Sequence, residues 1–106
     1  LFRSWGSFRV LDVEDASMTI KITLTPGHGM NYHSHENRDE VWTVISGTGH
    51  AILDGVRRDV KAGDILTMPA GCRHTVFADS ELKIIEVQLG PAISVEDKQK
   101  YPLPQA

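Results

Sequence analysis

The stretch "SMTIKITL" limits what this chain can fold into. Met18, Ile20, Ile22 and Leu24 are apolar, and Thr19, Lys21 and Thr23 between them are polar. A period of two is the pleat of a β-strand with one face buried and the other wet. The runs "FRVLDV", "EVWTVIS", "HAILDG", "DILTMP", "HTVFA" and "LKIIEVQL" are strand-like as well. Turn signals separate them: "PGHG", "SGTG", "DG", "AGD", "PAG" and "ADSE". "ILDGVRRDV" carries the Asp-Gly pair of a tight hairpin. Gly47, Gly49, Gly63 and Gly71 are expected to supply positive φ at turns. No stretch keeps a helical period over three turns, and "SVEDKQKY" is read as one short turn. Many short strands at regular spacing predict an all-β sandwich or small barrel.

With 106 residues, 41% of them apolar, the chain can bury one core, so one domain over 1–106 is expected. The strand-rich barrel covers roughly 8–90, and the tail 91–106, ending in "YPLPQA", is expected to run extended over the surface. Eleven Lys and Arg against 14 Asp and Glu (11 − 14) leave a net charge of −3. That sign argues against nucleic acid or an anionic membrane surface as partner, yet permits a small anion held by local cations. The sequence has no apolar run long enough to span a bilayer and no signal peptide. Cys72 is the only cysteine, so no internal disulfide can form, and a soluble, cytoplasmic setting is expected. The first residue is Leu1, which fits a processed chain or a domain cut from a longer one.

The chemistry-bearing residues fall into two glycine-punctuated groups. Gly27 is followed by His33, His35, Glu40 and Gly47; Gly63 is followed by Pro69, Gly71 and His74. On a strand, residues i and i+2 share a face about 7 Å apart, so His33 and His35 can reach one ion. Glu40, Trp42 and Val44 share a face of the next strand by the same parity. His74 starts a separate strand and must be brought in by the fold. Two histidines one residue apart are, by themselves, as readily solvated as ligating. Three imidazoles and one carboxylate suit one divalent transition metal (Zn, Mn, Fe, Co or Ni) rather than Ca or Mg, which prefer oxygen. His28 and His50 match no ligand position, and Cys72 lies on a turn.

The two groups, in this order and spacing, resemble the motifs of the cupin superfamily. That resemblance implies a small β-barrel of the double-stranded β-helix, or jelly-roll, type, with His33, His35, Glu40 and His74 holding the metal. More closely, "RSWGSFRVLD", "RDEVWTVISGTG" and "IIEVQLG" resemble the cupin domain of type II mannose-6-phosphate isomerases. The likeness spans roughly residues 3–90. Such a domain often follows a mannose-1-phosphate guanylyltransferase, which implies an upstream nucleotidyltransferase domain as a partner. The isomerase motif usually reads Gln-x-His-x-His-Arg-x-Glu. Aligned on "RDE", this chain has His33, His35 and Asn37 at the first three named positions, and Ala78 stands where the second cupin motif often has Asn.

The resemblance implies interconversion of mannose 6-phosphate and fructose 6-phosphate through an enediol. That chemistry needs a cation for the developing oxyanion, a base for the carbon-bound proton and cationic anchors for phosphate. Glu40 and Glu86 are the candidate bases. Glu86 and Gln88 share one face of their strand, either toward the cavity or toward solvent. Arg3, Lys21, Arg38 and Arg73 are the candidate phosphate anchors, against an ordinary surface role for each. Arg57 and Arg58 are read as surface. Trp42 and Tyr32 could stack on a sugar, and Gln88 could bond it. Two other classes compete: a non-catalytic metal-containing sugar-phosphate-binding module, and another cupin enzyme such as a dioxygenase. Exposed sheet edges suggest a homodimer.

Overall fold

A computed structural model describes residues 5–90 and 97–103, and the backbone alone of Phe2 and Arg3. The alternating runs become the strands β1 (Phe2–Arg3), β2 (Gly6–Glu14), β3 (Ser17–Leu24), β4 (His33–Ser34), β5 (Asp39–Ser46) and β6 (Thr48–Leu53). They continue as β7 (Val56–Lys61), β8 (Ile65–Met68), β9 (His74–Ala78), β10 (Leu82–Leu89) and β11 (Gln99–Lys100). Every pairing is antiparallel. One sheet has the order β1-β2-β3-β10-β5-β8 and the other β11-β4-β9-β6-β7. Among the described residues there is no helix, and none long and apolar enough to cross a membrane.

The two sheets face one core. Ile20, Ile22 and Leu24 of β3, Trp42 and Val44 of β5, Leu66 and Met68 of β8, and Leu82 and Ile84 of β10 meet Ala51, Val60, Val76 and Ala78 of the second sheet. Each fully buried aliphatic side chain there contributes about 1.5–3 kcal/mol. The alternation and turn spacing predict an all-β sandwich or small barrel, and the two packed sheets are the jelly roll that the cupin resemblance implies.

Two local expectations change. Gly49 does not adopt positive φ: it lies inside β6, where a Cβ would stand 2.0 Å from the Phe77 carbonyl oxygen. Close strand approach, not turn geometry, requires that glycine. "SVEDKQKY" ends in strand rather than helical turn, because Gln99 and Lys100 pair with Ser34 and His33 and cover the open edge of β4. Residues 94–96 of that run lie outside the described residues. The tail then ties down through the Tyr101 N–H, which donates to the Tyr32 carbonyl at 2.8 Å.

Candidate metal centre and its cavity

Strand parity carries the polar groups to one end of the barrel. Glu40, Trp42 and Val44 are all buried on β5, as are Leu82, Ile84, Glu86 and Gln88 on β10. Glu86 and Gln88 therefore face inward. Register sets Gln88 opposite Glu40 and Glu86 opposite Trp42. His33 pairs directly with His74 across β4 and β9, and His35 follows β4 by one residue.

The three imidazoles converge. Ring centroids are 4.9 Å apart for His33–His35, 4.4 Å for His33–His74 and 5.4 Å for His35–His74. One ligand atom from each lies within 4.8 Å of the others. Each Nδ1 meets a backbone carbonyl: His33 to Asn31 at 2.5 Å, His35 to Asp97 at 2.6 Å and His74 to Cys72 at 2.9 Å. A carbonyl only accepts, so each Nδ1 holds the proton and each Nε2 is a lone-pair donor.

Glu40 closes the group. Its Oε2 is 3.1 Å from His35 Nε2 and its Oε1 is 3.4 Å from His74 Nε2. Trp42 Nε1 donates to Oε1 at 3.0 Å and Arg38 Nε donates to Oε2 at 2.9 Å. His74 Nε2 is buried without a hydrogen-bond partner. With Nδ1 bonded to the Cys72 carbonyl, the Nε2 lone pair faces Glu40 Oε1, an arrangement that a cation between them resolves. The donor set fits a divalent transition metal.

The electrostatics agree with that fit. Burial, with the nearby His74, lowers the His33 pKa to about 3. Burial also lowers that of His35, against the pull of Glu40. Both imidazoles are therefore neutral at neutral pH, as metal ligation would require. Burial pushes the Glu40 carboxyl up, but its contacts with His74, His35 and Arg38 outweigh it and bring it to about 2. Glu86 goes the other way: burial and the Glu40 charge raise it to about 8. Gln88 Nε2 donates to Glu86 Oε2 at 2.5 Å, and Gln88 Oε1 is buried without a partner.

A cavity of about 530 Å³ opens onto this group. One wall is polar, with Asn31, His33, His35, Arg38, Glu40, Glu86, Gln88 and Lys98. The rest of the lining is apolar, with Trp5, Phe8, Val10, Met18, Ile20, Ile22, Met30 and Trp42. Among the described residues, Arg38 and Lys98 are the cationic side chains of this lining.

The other expected anchors stand elsewhere. Lys21 is exposed between the buried Ile20 and Ile22, so the pleat turns it outward. Arg73 is exposed, with its guanidinium 3.9 Å over the Tyr101 ring, and lines a separate hollow with Tyr32, Asp54, Gly55 and Pro102. Neither lines the cavity, because each neighbours an inward-facing residue and so points away from it. The Arg3 side chain lies outside the described residues. Tyr32 is buried and its hydroxyl accepts the Gly55 N–H at 3.0 Å, away from the cavity. Arg57 and Arg58 are exposed, and His28 and His50 stand apart from the histidine cluster. Burial, with Asp54 nearby, raises the Cys72 thiol to about 11, the wrong direction for a thiolate ligand.

Two participants came from the tail and were not foreseen. Asp97 bonds the Glu36 and Asn37 N–H groups through its carboxylate, at 2.8 Å each, while its carbonyl orients His35. Lys98 enters the cavity lining beside it. Asn37, where the isomerase motif has histidine, is exposed. The converging set is thus the general cupin pattern.

A jelly roll with three inward histidines and a carboxylate at one end defines a class of small β-barrel with a candidate metal site. Residues 20–88 match the cupin domain family, and the chain belongs to it. It is 27% identical over 103 residues to the alginate biosynthesis protein AlgA of Pseudomonas putida, covering 95% of this chain and 21% of that protein. It is 28% identical over 99 residues to the mannose-1-phosphate guanylyltransferase RfbM of Salmonella typhimurium, covering 92% and 21%. The chain therefore spans about a fifth of these curated relatives. Among solved structures, a salicylate 1,2-dioxygenase from Pseudaminobacter salicylatoxidans superposes with a TM-score of 0.75 at 15% identity, over 80% of this chain and 26% of that one. That likeness is one of fold.

Proposed function

We propose that the chain is a single metal-dependent aldose–ketose isomerase domain that interconverts mannose 6-phosphate and fructose 6-phosphate through an enediol. The observation that carries this reading is Glu86: a buried carboxyl, raised to about 8, beside three histidines and Glu40 in a cavity that also holds Arg38 and Lys98. His33, His35, His74 and Glu40 would hold the metal, which when bound would supply a Lewis acid for the oxyanion that develops on the sugar.

The chain's own groups divide the remaining work. Glu40 is a poor base, because its two oxygens already meet Trp42, Arg38, His35 and His74 and its carboxyl sits near 2. Glu86 titrates at about 8, so its ionised form takes the proton from one carbon and returns it to the neighbouring one. Gln88 holds Glu86 in place and offers its unpartnered Oε1 to a sugar hydroxyl. Trp42 lies along the cavity wall for the sugar's C–H face. Arg38 and Lys98 take the phosphate, in place of the outward-turned Lys21 and Arg73. Similarity to proteins about five times longer supports an upstream nucleotidyltransferase domain in the native polypeptide. The lone Cys72 fits a cytoplasmic setting.

The test is to incubate metal-loaded protein with fructose 6-phosphate in heavy water. Mannose 6-phosphate carrying carbon-bound deuterium is expected, with none from Glu86→Gln. Saturable sugar-phosphate binding without turnover under any of the five metals would replace this reading with the binding module. One observation favours a second enzyme: the apolar wall of Trp5, Phe8, Met18, Ile20 and Met30 suits a flat aromatic substrate. Oxygen uptake by the iron-loaded protein with a catechol or salicylate would decide for a dioxygenase. A homodimer through β2 is also proposed, because Val10, Leu11 and Val13 are 44%, 46% and 62% exposed along it. Light scattering at the monomer mass would exclude that.

A further inference from the structure

We infer that Arg38 occupies the cation position of the centre until a divalent metal displaces it, and that the displaced guanidinium then anchors a phosphate in the cavity. This rests on reading His33, His35, His74 and Glu40 as the metal-binding set.

The case starts with the lone pairs of His35. Its Nδ1 is committed to the Asp97 carbonyl at 2.6 Å, so Nε2 is its only ligand atom. Arg38 Nη2 stands 3.0 Å from that Nε2. The same guanidinium reaches Glu40 Oε2 through Nε at 2.9 Å. One planar cation thus bridges two of the four groups that converge on the centre. A metal coordinated by His35 must take the lone pair that Arg38 uses, and the two positive charges repel. Binding is therefore exchange, not addition.

The exchange changes what the cavity attracts. Without metal, the charge of Arg38 cancels that of Glu40. With a dication present, these three groups together carry two net positive charges, which matches a phosphate dianion. The Arg38 guanidinium, released from His35, is already on the cavity lining with Lys98. Planar guanidinium groups suit bidentate phosphate contact. The order is metal first, then phosphate ester.

The test needs no turnover, so it stands or falls apart from the isomerase assay. Metal-stripped wild type, Arg38→Lys, Arg38→Met and the exposed control Arg57→Met are titrated with Co²⁺ by absorption. Removing a charge-assisted competitor should tighten Co²⁺ binding about tenfold in Arg38→Met, with Arg38→Lys intermediate and Arg57→Met unchanged. Equal or weaker binding in Arg38→Met overturns the exchange. If Arg38→Met does not fold, Arg38→Lys alone must bind tighter than wild type. Inorganic phosphate is then titrated calorimetrically into the cobalt-loaded proteins. Phosphate affinity should be about tenfold lower in Arg38→Met than in wild type. Equal affinities mean that phosphate meets only the metal, and overturn the anchoring half.

Discussion

Along β10 the inner face changes character between Ile84 and Glu86 without changing direction. Ile84 pairs with Ile22 and Val44, whereas two residues on Glu86 pairs with Ile20 and Trp42, and Gln88 with Met18 and Glu40. All four inner side chains are buried, at 0% exposure for Leu82 and Ile84, 5% for Glu86 and 4% for Gln88. The same pleat therefore builds a hydrocarbon core at one end and a polar cluster at the other. Burying an ionisable carboxyl costs several kcal/mol unless partners compensate. The apolar end must hold the barrel together while the polar end keeps groups poised against their solvation preference. Stability and metal chemistry should therefore separate along one strand.

The largest effect expected is at the apolar end. Leu82→Ala should cost about 2–5 kcal/mol, since a fully buried leucine leaves a cavity that β-strands cannot readily close. Denaturant melts measure this, and the folded fraction should retain its metal. A loss below 1 kcal/mol would mean that the core is not where the barrel gets its stability.

The next largest effect is at the polar end. His74→Ala and His35→Ala should each abolish stoichiometric metal, read by elemental analysis after gel filtration, while His50→Ala keeps it. Removal of His74 also removes its orphaned Nε2, so the metal-free variant should melt close to the metal-free parent. Metal retention in all three variants would break the ligand assignment. A metal-free His74→Ala that fails to fold would erase the separation between the two ends.

Much of this division is legible in the sequence, and the failures have a common cause. Alternation in Met18–Leu24 and 40–44 marks the inner faces correctly, because a central strand tolerates only one register. The same parity turns Lys21 outward beside Ile20 and Ile22, so that residue's true direction was readable although a cavity role was expected for it. β10 is ambiguous because its polar end puts Glu86 and Gln88 inside and mimics a solvent face. Its outer residues Ile85 and Val87 are also half-buried. Asp97 and Lys98 left no local signal at all. Asp97 reaches His35 across 62 residues of chain, and only the closing of the β4 edge by β11 brings it there. Candidate metal ligands set by strand spacing are readable, whereas supports delivered by a returning tail are not.

The smallest effect sharpens the comparison most, because it measures strain at the polar end without unfolding it. Glu86 holds its proton in the fold to about pH 8, against an ordinary value of 4.5. A raised carboxyl binds protons more tightly in the native state than in the unfolded one. Its stabilisation is complete below pH 4.5 and is lost as pH climbs through 8. His33 and His35 are lowered, so they act in the opposite sense and only below their ordinary 6.5. Cys72 is raised from its ordinary 9 to about 11, so it acts in the same sense as Glu86 and adds a smaller loss toward pH 9. Between about pH 7 and 9, metal-free wild type should therefore lose on the order of 1 kcal/mol through Glu86. Glu86→Gln keeps the shape and the hydrogen bond to Gln88 but cannot ionise, so only the smaller Cys72 loss should remain over that window. Parallel slopes for the two proteins in chelator-treated denaturant melts would show that Glu86 is not held protonated. The proton carrier proposed for catalysis would then have to be sought elsewhere on the cavity wall.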